Sequence, residues 1–341
     1  MALTEEAQAH LACRLAHIER VRDRVVMDGD THPTDLALIP PEMRSRMQAD
    51  PGYFHMRPIT GPELLAELDM SCVDMALSWQ NPACTPYGDD PRENFRVLLA
   101  ANRYCTELAR EHPTRIVNAG WTDPRALGLD GAIELARILV EEFGCSIVKM
   151  NPGQNAYPID SAEVLATVDA IVALGAVPAF HFGGDTPYTP PDGLETVAAR
   201  HPDHPVIGVH MGGGGSLFPA GDATYLGARA LGLRQRNVFY VLSAIRDTHV
   251  ESNLIAYALA EPSALGNIAM GSDAPYGRVS WNYGGIRQMF ASLGDPRHPD
   301  PRLRGRPGLF DEAAVRGVMG RNLADLLIAA DRRVLARGGA A

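Results

Sequence analysis

The chain has 341 residues, a formal net charge of −10, and a 46% hydrophobic content. That length holds one closed barrel of eight strand–helix units, which takes roughly 250 residues, or else two ordinary domains. The acidic balance argues against a nucleic-acid partner, because phosphate binding needs a basic face.

Residues 1–24 predict an amphipathic helix, with Leu3, Leu11, Leu15, Ile18 and Val21 on its apolar face. It is expected to cap the floor of the main domain or to join a homodimer interface. The segment is charged throughout and has no apolar centre of the secretory kind. The longest apolar stretch, AIVALGAVPAF, is too short to cross a bilayer and contains a proline. Cys13, Cys72, Cys84, Cys105 and Cys145 are odd in number and form no CxxC pair, so reduced thiols are expected. Together these features predict a cytoplasmic protein with no membrane partner and a small-molecule substrate.

Short apolar runs then recur along the chain: VVMDGDTH (25–32), VDMALSWQ (73–80), IVNAGWT (116–122), SIVKMNP (146–152), VPAFHFG (177–183), VIGVHMG (206–212), VFYVLSA (238–244) and IAMGSD (268–273). Each reads as a strand buried on both faces, as parallel strands are. Helical patterns such as PRENFRVLLAANRYCTELAREH and SAEVLATVDAIVALG lie between them. From the fourth run onward the spacing settles near ~30 residues, the size of one βα unit. The expected fold class is therefore α/β, a (β/α)8 TIM barrel spanning 25–330, with long loops at its C-terminal face. An open doubly wound sheet is the alternative, weakened by the lack of a GxGxxG turn after the first strand. A proline- and methionine-rich insert (33–62) follows the first strand, and 331–341 reads as a tail.

Polar residues interrupt these runs at one end. Asp30 and His32 close the first, two apart, so a regular strand would point both to one side. Lys149 closes the fourth, His181 the fifth, His210 the sixth and Asp273 the eighth. All six fall where a barrel builds its active site. Imidazole and carboxylate together suit a divalent ion, zinc first and manganese as the alternative. His10, His17, His112, His201, His204, His249 and His298 fall on predicted helices or loops and receive no role. Lys149 is the one lysine among 31 basic residues. Unlike arginine, it can lose its proton and react.

These motifs resemble the amidohydrolase superfamily, in its amidohydrolase-related branch of metal-dependent hydrolases and decarboxylases. ELLAELDMSCVDMAL is similar to the branch's first helix and second strand, VIGVHMGGGG to its His-Gly-Gly segment, MGSDAPYG to its Gly-Ser-Asp-x-Pro segment, and GRNLADLL to its closing helix. The resemblance covers roughly residues 25–328. It implies that Asp30, His32, His181 and Asp273 hold one metal, with His210 and Asp273 as catalytic groups. Asp-x-His on the first strand departs from the usual His-x-His, which leaves open whether Asp30 binds directly. It leaves open a two-metal variant in which a carbamylated Lys149 bridges the ions and His181 and His210 hold the second. In the one-metal case Lys149 would meet substrate.

A metal-activated water would make the protein a hydrolase of a small polar molecule. The same constellation would serve a non-oxidative decarboxylase. The glycine run Gly212 to Gly215 stands where resorcylate-type decarboxylases carry a glutamate, which counts against that type. Arg57, Trp79, Arg246 and Arg278 are candidate substrate contacts, with Trp121 and Trp281 beside them; packing and solvated charge are the competing readings. A non-catalytic barrel is the remaining rival, supported by Asp30 alone.

Overall fold

The structure is a computed structural model and describes residues 2–49, 58–183, 186–213, 221–244, 247–306 and 308–338. Its sheet is a ring of parallel strands: β1 (Met27–Thr31), β2 (Met75–Ser78), β3 (Ile116–Asn118, continuing as Gly120–Trp121), β4 (Ile147–Met150), β5 (Val177–His181), β6 (Val206–Val209), β7 (Val238–Leu242) and β8 (Ile268–Met270). Neighbours pair in sequence order, from Met27 opposite Met75 to Tyr240 opposite Ile268. The third strand breaks at Ala119, and its second half pairs with β4 through Gly120 and Val148.

The ring closes between the last strand and the first. Asp273 N–H donates to the Asp30 carbonyl at 2.8 Å, and His32 N–H to the Ala274 carbonyl at 2.7 Å. That closure excludes the open sheet. Almost every strand residue is buried, as expected of strands covered by helices outside and by side chains within. The helices carry the matching apolar faces. In α4 (Pro91–Glu111), Leu98, Cys105, Leu108 and Ala109 are buried one or two turns apart on one face, and Asp90 caps the start with Pro91 at the first position.

Two outer segments pack against each other. The N-terminal helix α1 (Glu5–Val21), capped by Thr4, packs along the C-terminal helix α13 (Asn322–Gly338). Arg14 of α1 is fully buried and grips Asp331 of α13 with two nitrogens, at 2.6 and 3.0 Å. The same guanidinium reaches Asn118 at 2.8 Å and Ser146 and the Gly144 carbonyl at the start of β4. The expected tail is corrected by the same contact. Residues 331–338 continue α13, because Asp331 and Val334 lie on its buried face. Residues 339–341 are outside the described residues. Within the insert, α2 (Pro41–Ala49) precedes α3 (Gly61–Met70), which starts with a reciprocal Thr60–Glu63 capping box.

None of the five cysteines forms a disulfide. Among the described residues, no helix is long and apolar enough to cross a membrane.

Candidate metal centre

The seam between β1 and β8 brings the first polar groups together. Between Asp28 and Thr31 the register of β1 against β2 slips by one residue, a bulge. The simple alternation expected of Asp30 and His32 is therefore interrupted. Gly29 sits within the slip, where a Cβ would come 3.0 Å from both the Met270 carbonyl and a Val241 methyl. Asp28 stays outside the cluster and accepts from the amides of Asp30 and Ser272. Burial pushes its carboxyl up to about 7.

Asp30, His32 and Asp273 offer ligand atoms that all lie within 4.8 Å of one another, and all three residues are buried. His32 Nε2 is 3.3 Å from Asp30 Oδ1 and 3.3 Å from Asp273 Oδ1. Donors bonded to one ion at about 2.0–2.2 Å stand about 3.0–3.5 Å apart, so this spacing fits a single divalent ion. His32 is also held in the right tautomer. Its Nδ1 lies 2.8 Å from the Gln80 carbonyl, which can only accept, so Nδ1 carries the hydrogen and Nε2 faces the cluster. Burial alone would lower the His32 pKa, but hydrogen bonding to Asp273 and Asp30 outweighs it and raises it. Asp273 has a backbone φ of 58°, in the left-handed region that non-glycine residues seldom occupy.

Lys149 reaches the same carboxylate across the barrel. Its Nζ is 3.3 Å from Asp30 Oδ1 and 1% of its side chain is exposed. The ammonium lies over two indole rings, 4.8 Å from Trp79 and 5.1 Å from Trp121. Burial alone would raise the Asp30 pKa, but Lys149, His32 and His210 together hold it well below the usual carboxylate range.

His210 stands at the end of β6 with φ of 79°. Its Nδ1 is 3.1 Å from the Ser243 carbonyl, 3.0 Å from the Ser243 hydroxyl and 3.9 Å from Asp30 Oδ2. Burial lowers its pKa. His181 lies outside the three-donor group; its ring packs edge-on against His210 with centroids 4.7 Å apart. The structure thus joins Asp30, His32, Asp273 and Lys149 directly and sets His181 and His210 alongside.

The substrate candidates are more scattered. Trp79 and Trp121 are fully buried beneath Lys149. The Arg278 Nε is 2.6 Å from Glu67 Oε1, and its guanidinium lies over the exposed Trp281 ring. Arg57 and Arg246 lie outside the described residues, as do Gly214 and Gly215. The sequence reading overlooked Ser243, which ends the apolar run VFYVLSA as His210 and Asp273 end theirs. It also overlooked Tyr276, whose ring packs on His32 and whose hydroxyl donates to Asn81 at 2.7 Å.

The profile of the family described as Amidohydrolase matches residues 89–327. That span carries Lys149, His181, His210 and Asp273 and leaves β1 outside. No curated protein matches the chain. Among solved structures, the chain resembles 5-carboxyvanillate decarboxylase from Sphingomonas paucimobilis, at 16% identity and a TM-score of 0.60, over 89% of this chain and 98% of that one. It resembles 5-carboxyvanillate decarboxylase from Novosphingobium aromaticivorans, complexed with manganese, at 12% identity and a TM-score of 0.61, over 90% and 97%. It also resembles 4-oxalomesaconate hydratase from Rhodopseudomonas palustris, at 14% identity and a TM-score of 0.57, over 93% and 99%. At these identities the likeness establishes the fold.

Proposed function

The chain belongs to the amidohydrolase family, and on that premise we propose that it is a one-metal hydrolase of a small polar molecule. The observation that carries the proposal is the Asp30–His32–Asp273 group, with its 3.3 Å donor spacing, beside His210. In this reading Asp30, His32 and Asp273 hold the ion, with His181 completing the set. A bound divalent ion supplies Lewis acidity and lowers the pKa of water toward ~7. Zinc and manganese both suit a mixed imidazole and carboxylate set.

The residues around the ion have separable tasks. Asp273 would accept a proton from the attacking water and pass it to His210, whose charged form burial disfavours, and His210 would return it to the leaving group. Lys149 balances the charge of Asp30 and, beside it, attracts an anionic group on the substrate. Trp79 and Trp121 wall the ammonium off from water.

Decarboxylation is the second reading. It is favoured by the decarboxylases among the structures of similar fold, and the same residues would then hold a substrate carboxylate and protonate the carbon that loses CO2. One experiment decides between them. Zinc- and manganese-loaded protein is incubated with a panel of amides, esters, lactones and unsaturated or aromatic carboxylic acids in heavy-oxygen water. Label entering a product together with cleavage of the amide, ester or lactone bond supports hydrolysis. Carbon dioxide released without label in the organic product assigns a decarboxylase. Elemental analysis showing no metal bound or taken up would sink both.

A further inference from the structure

Strand β7 contributes no expected ligand, yet it ends in a side chain that touches both halves of the site. We propose that Ser243 is a positioning residue: its carbonyl and hydroxyl oxygens both accept from His210 Nδ1, which leaves Nε2 bare, and its hydroxyl keeps His210 from pairing directly with Asp30. The inference rests on the reading of His210 as part of the reaction centre.

The hydrogen-bond accounting leaves one solution. Ser243 Oγ is 2.7 Å from Asp30 Oδ2. An ionised carboxylate only accepts, so the hydroxyl hydrogen is committed to Asp30. What remains on Oγ is lone pairs, 3.0 Å from His210 Nδ1. The Ser243 carbonyl, 3.1 Å from the same nitrogen, is a second pure acceptor. Two acceptors on one ring nitrogen require that nitrogen to carry the hydrogen. A neutral imidazole then leaves Nε2 unprotonated and able to take up a proton.

The hydroxyl also stands between two groups that would otherwise meet. Asp30 Oδ2 lies 3.9 Å from His210 Nδ1, within reach of a small ring rotation. Without Ser243 Oγ, Asp30 loses its shortest donor, and His210 is the nearest replacement. The His210 main chain, at φ of 79°, lies in the left-handed region that non-glycine residues seldom occupy. Gly271 faces Ser243, and a Cβ there would come 3.1 Å from the Ser243 Cβ.

The test uses the full chain with isotope-labelled histidine, metal-free and zinc-loaded, with His210→Gln assigning the resonance. Proton–nitrogen NMR of the wild type is expected to show a protonated Nδ1 and a bare Nε2 on His210. In Ser243→Ala, the His210 Nδ1–H is expected to persist but its resonance to shift, as the ring turns from the lost Oγ toward Asp30 Oδ2, 3.9 Å away in the wild type. Zinc affinity is expected to fall about tenfold, the loss typical of an outer partner of a ligand. Ser243→Thr restores both readouts, and Ser243→Cys, a weaker donor of similar size, falls between. A His210 pattern in Ser243→Ala identical to wild type, with zinc affinity within about twofold, overturns the proposal. The metal-free spectra decide the matter even if zinc does not bind, and a wild type that takes up no zinc refutes the metal reading separately.

Discussion

Replacing Lys149 by methionine tests the charge balance at the centre of the barrel. The substitution keeps length and apolar bulk but strands Asp30, whose Oδ1 lies 3.3 Å from the lost ammonium. Removing one partner of a buried ion pair costs about 3–5 kcal/mol. Asp30 keeps the Ser243 donor at 2.7 Å and His32 at 3.3 Å, which places the cost near the lower end, about 3 kcal/mol. The contacts with Trp79 and Trp121 add about 0.5–2 kcal/mol. For 341 residues the unfolding entropy is roughly 0.7 kcal/mol/K, so the metal-free melting temperature should fall by about 5–7 °C. Zinc brings positive charge to Asp30, so the zinc-loaded variant should recover most of that loss. The acid limb should move as well. Asp30 has a depressed folded pKa, so its stabilisation is present above the unfolded value and is lost as pH falls through the folded one. Without Lys149 the folded pKa rises, so the stabilisation is smaller and its loss is complete at higher pH. Calorimetry of both forms across pH measures this. Equal drops in the metal-free and loaded forms, or a metal-free drop under about 1 °C, would falsify the ion-pair argument.

Further outcomes follow from other contacts. His32→Gln should weaken metal binding by more than the ~10–100-fold that loss of an outer partner costs, read by elemental analysis at matched free metal. Asp331→Ala should destabilise the chain by about 3–5 kcal/mol in urea unfolding, whereas the double change Arg14→Met with Asp331→Leu should come close to neutral. Gly29→Ala should cost about 1–3 kcal/mol, because its methyl meets the Met270 carbonyl at 3.0 Å; an unchanged unfolding midpoint would count against the bulge as packed. Burial, then Arg14, lowers the His10 pKa from 6.5 to about 4. The unfolded chain takes up that proton first, so stability is full above 6.5 and falls as pH drops toward 4. His10→Gln should flatten the decline over that window.

The barrel was legible because parallel strands buried on both faces leave unbroken apolar runs, and polar residues at the ends of those runs stand out. Asp30, His32, Lys149, His210 and Asp273 were found by that contrast. Ser243 gave the same signal but lay on a strand for which the family resemblance assigned no ligand. The bulge was invisible because a single inserted residue changes a side chain's facing without changing composition. The end of α13 was misread since its outer face, with Arg332, Arg333 and Arg337, looks like a solvated tail, while the buried Asp331 is explained only by Arg14, 317 positions away. Trp79 was read as a substrate contact. Its position beneath Lys149 depends on β2 and β4 lying on either side of β3, a relation no local pattern encodes.

The donor group straddles the seam where the ring of strands closes. Asp30 and His32 come from the first strand, Asp273 follows the last, and two backbone hydrogen bonds join them. During synthesis the ligands are made at opposite ends of the barrel, so no partial chain can assemble the site. Any opening of the β1–β8 seam parts Asp273 from His32 at once. On the proposed one-metal reading, metal occupancy would report whether the barrel is shut, and a loaded ion would act as a rivet across the joint.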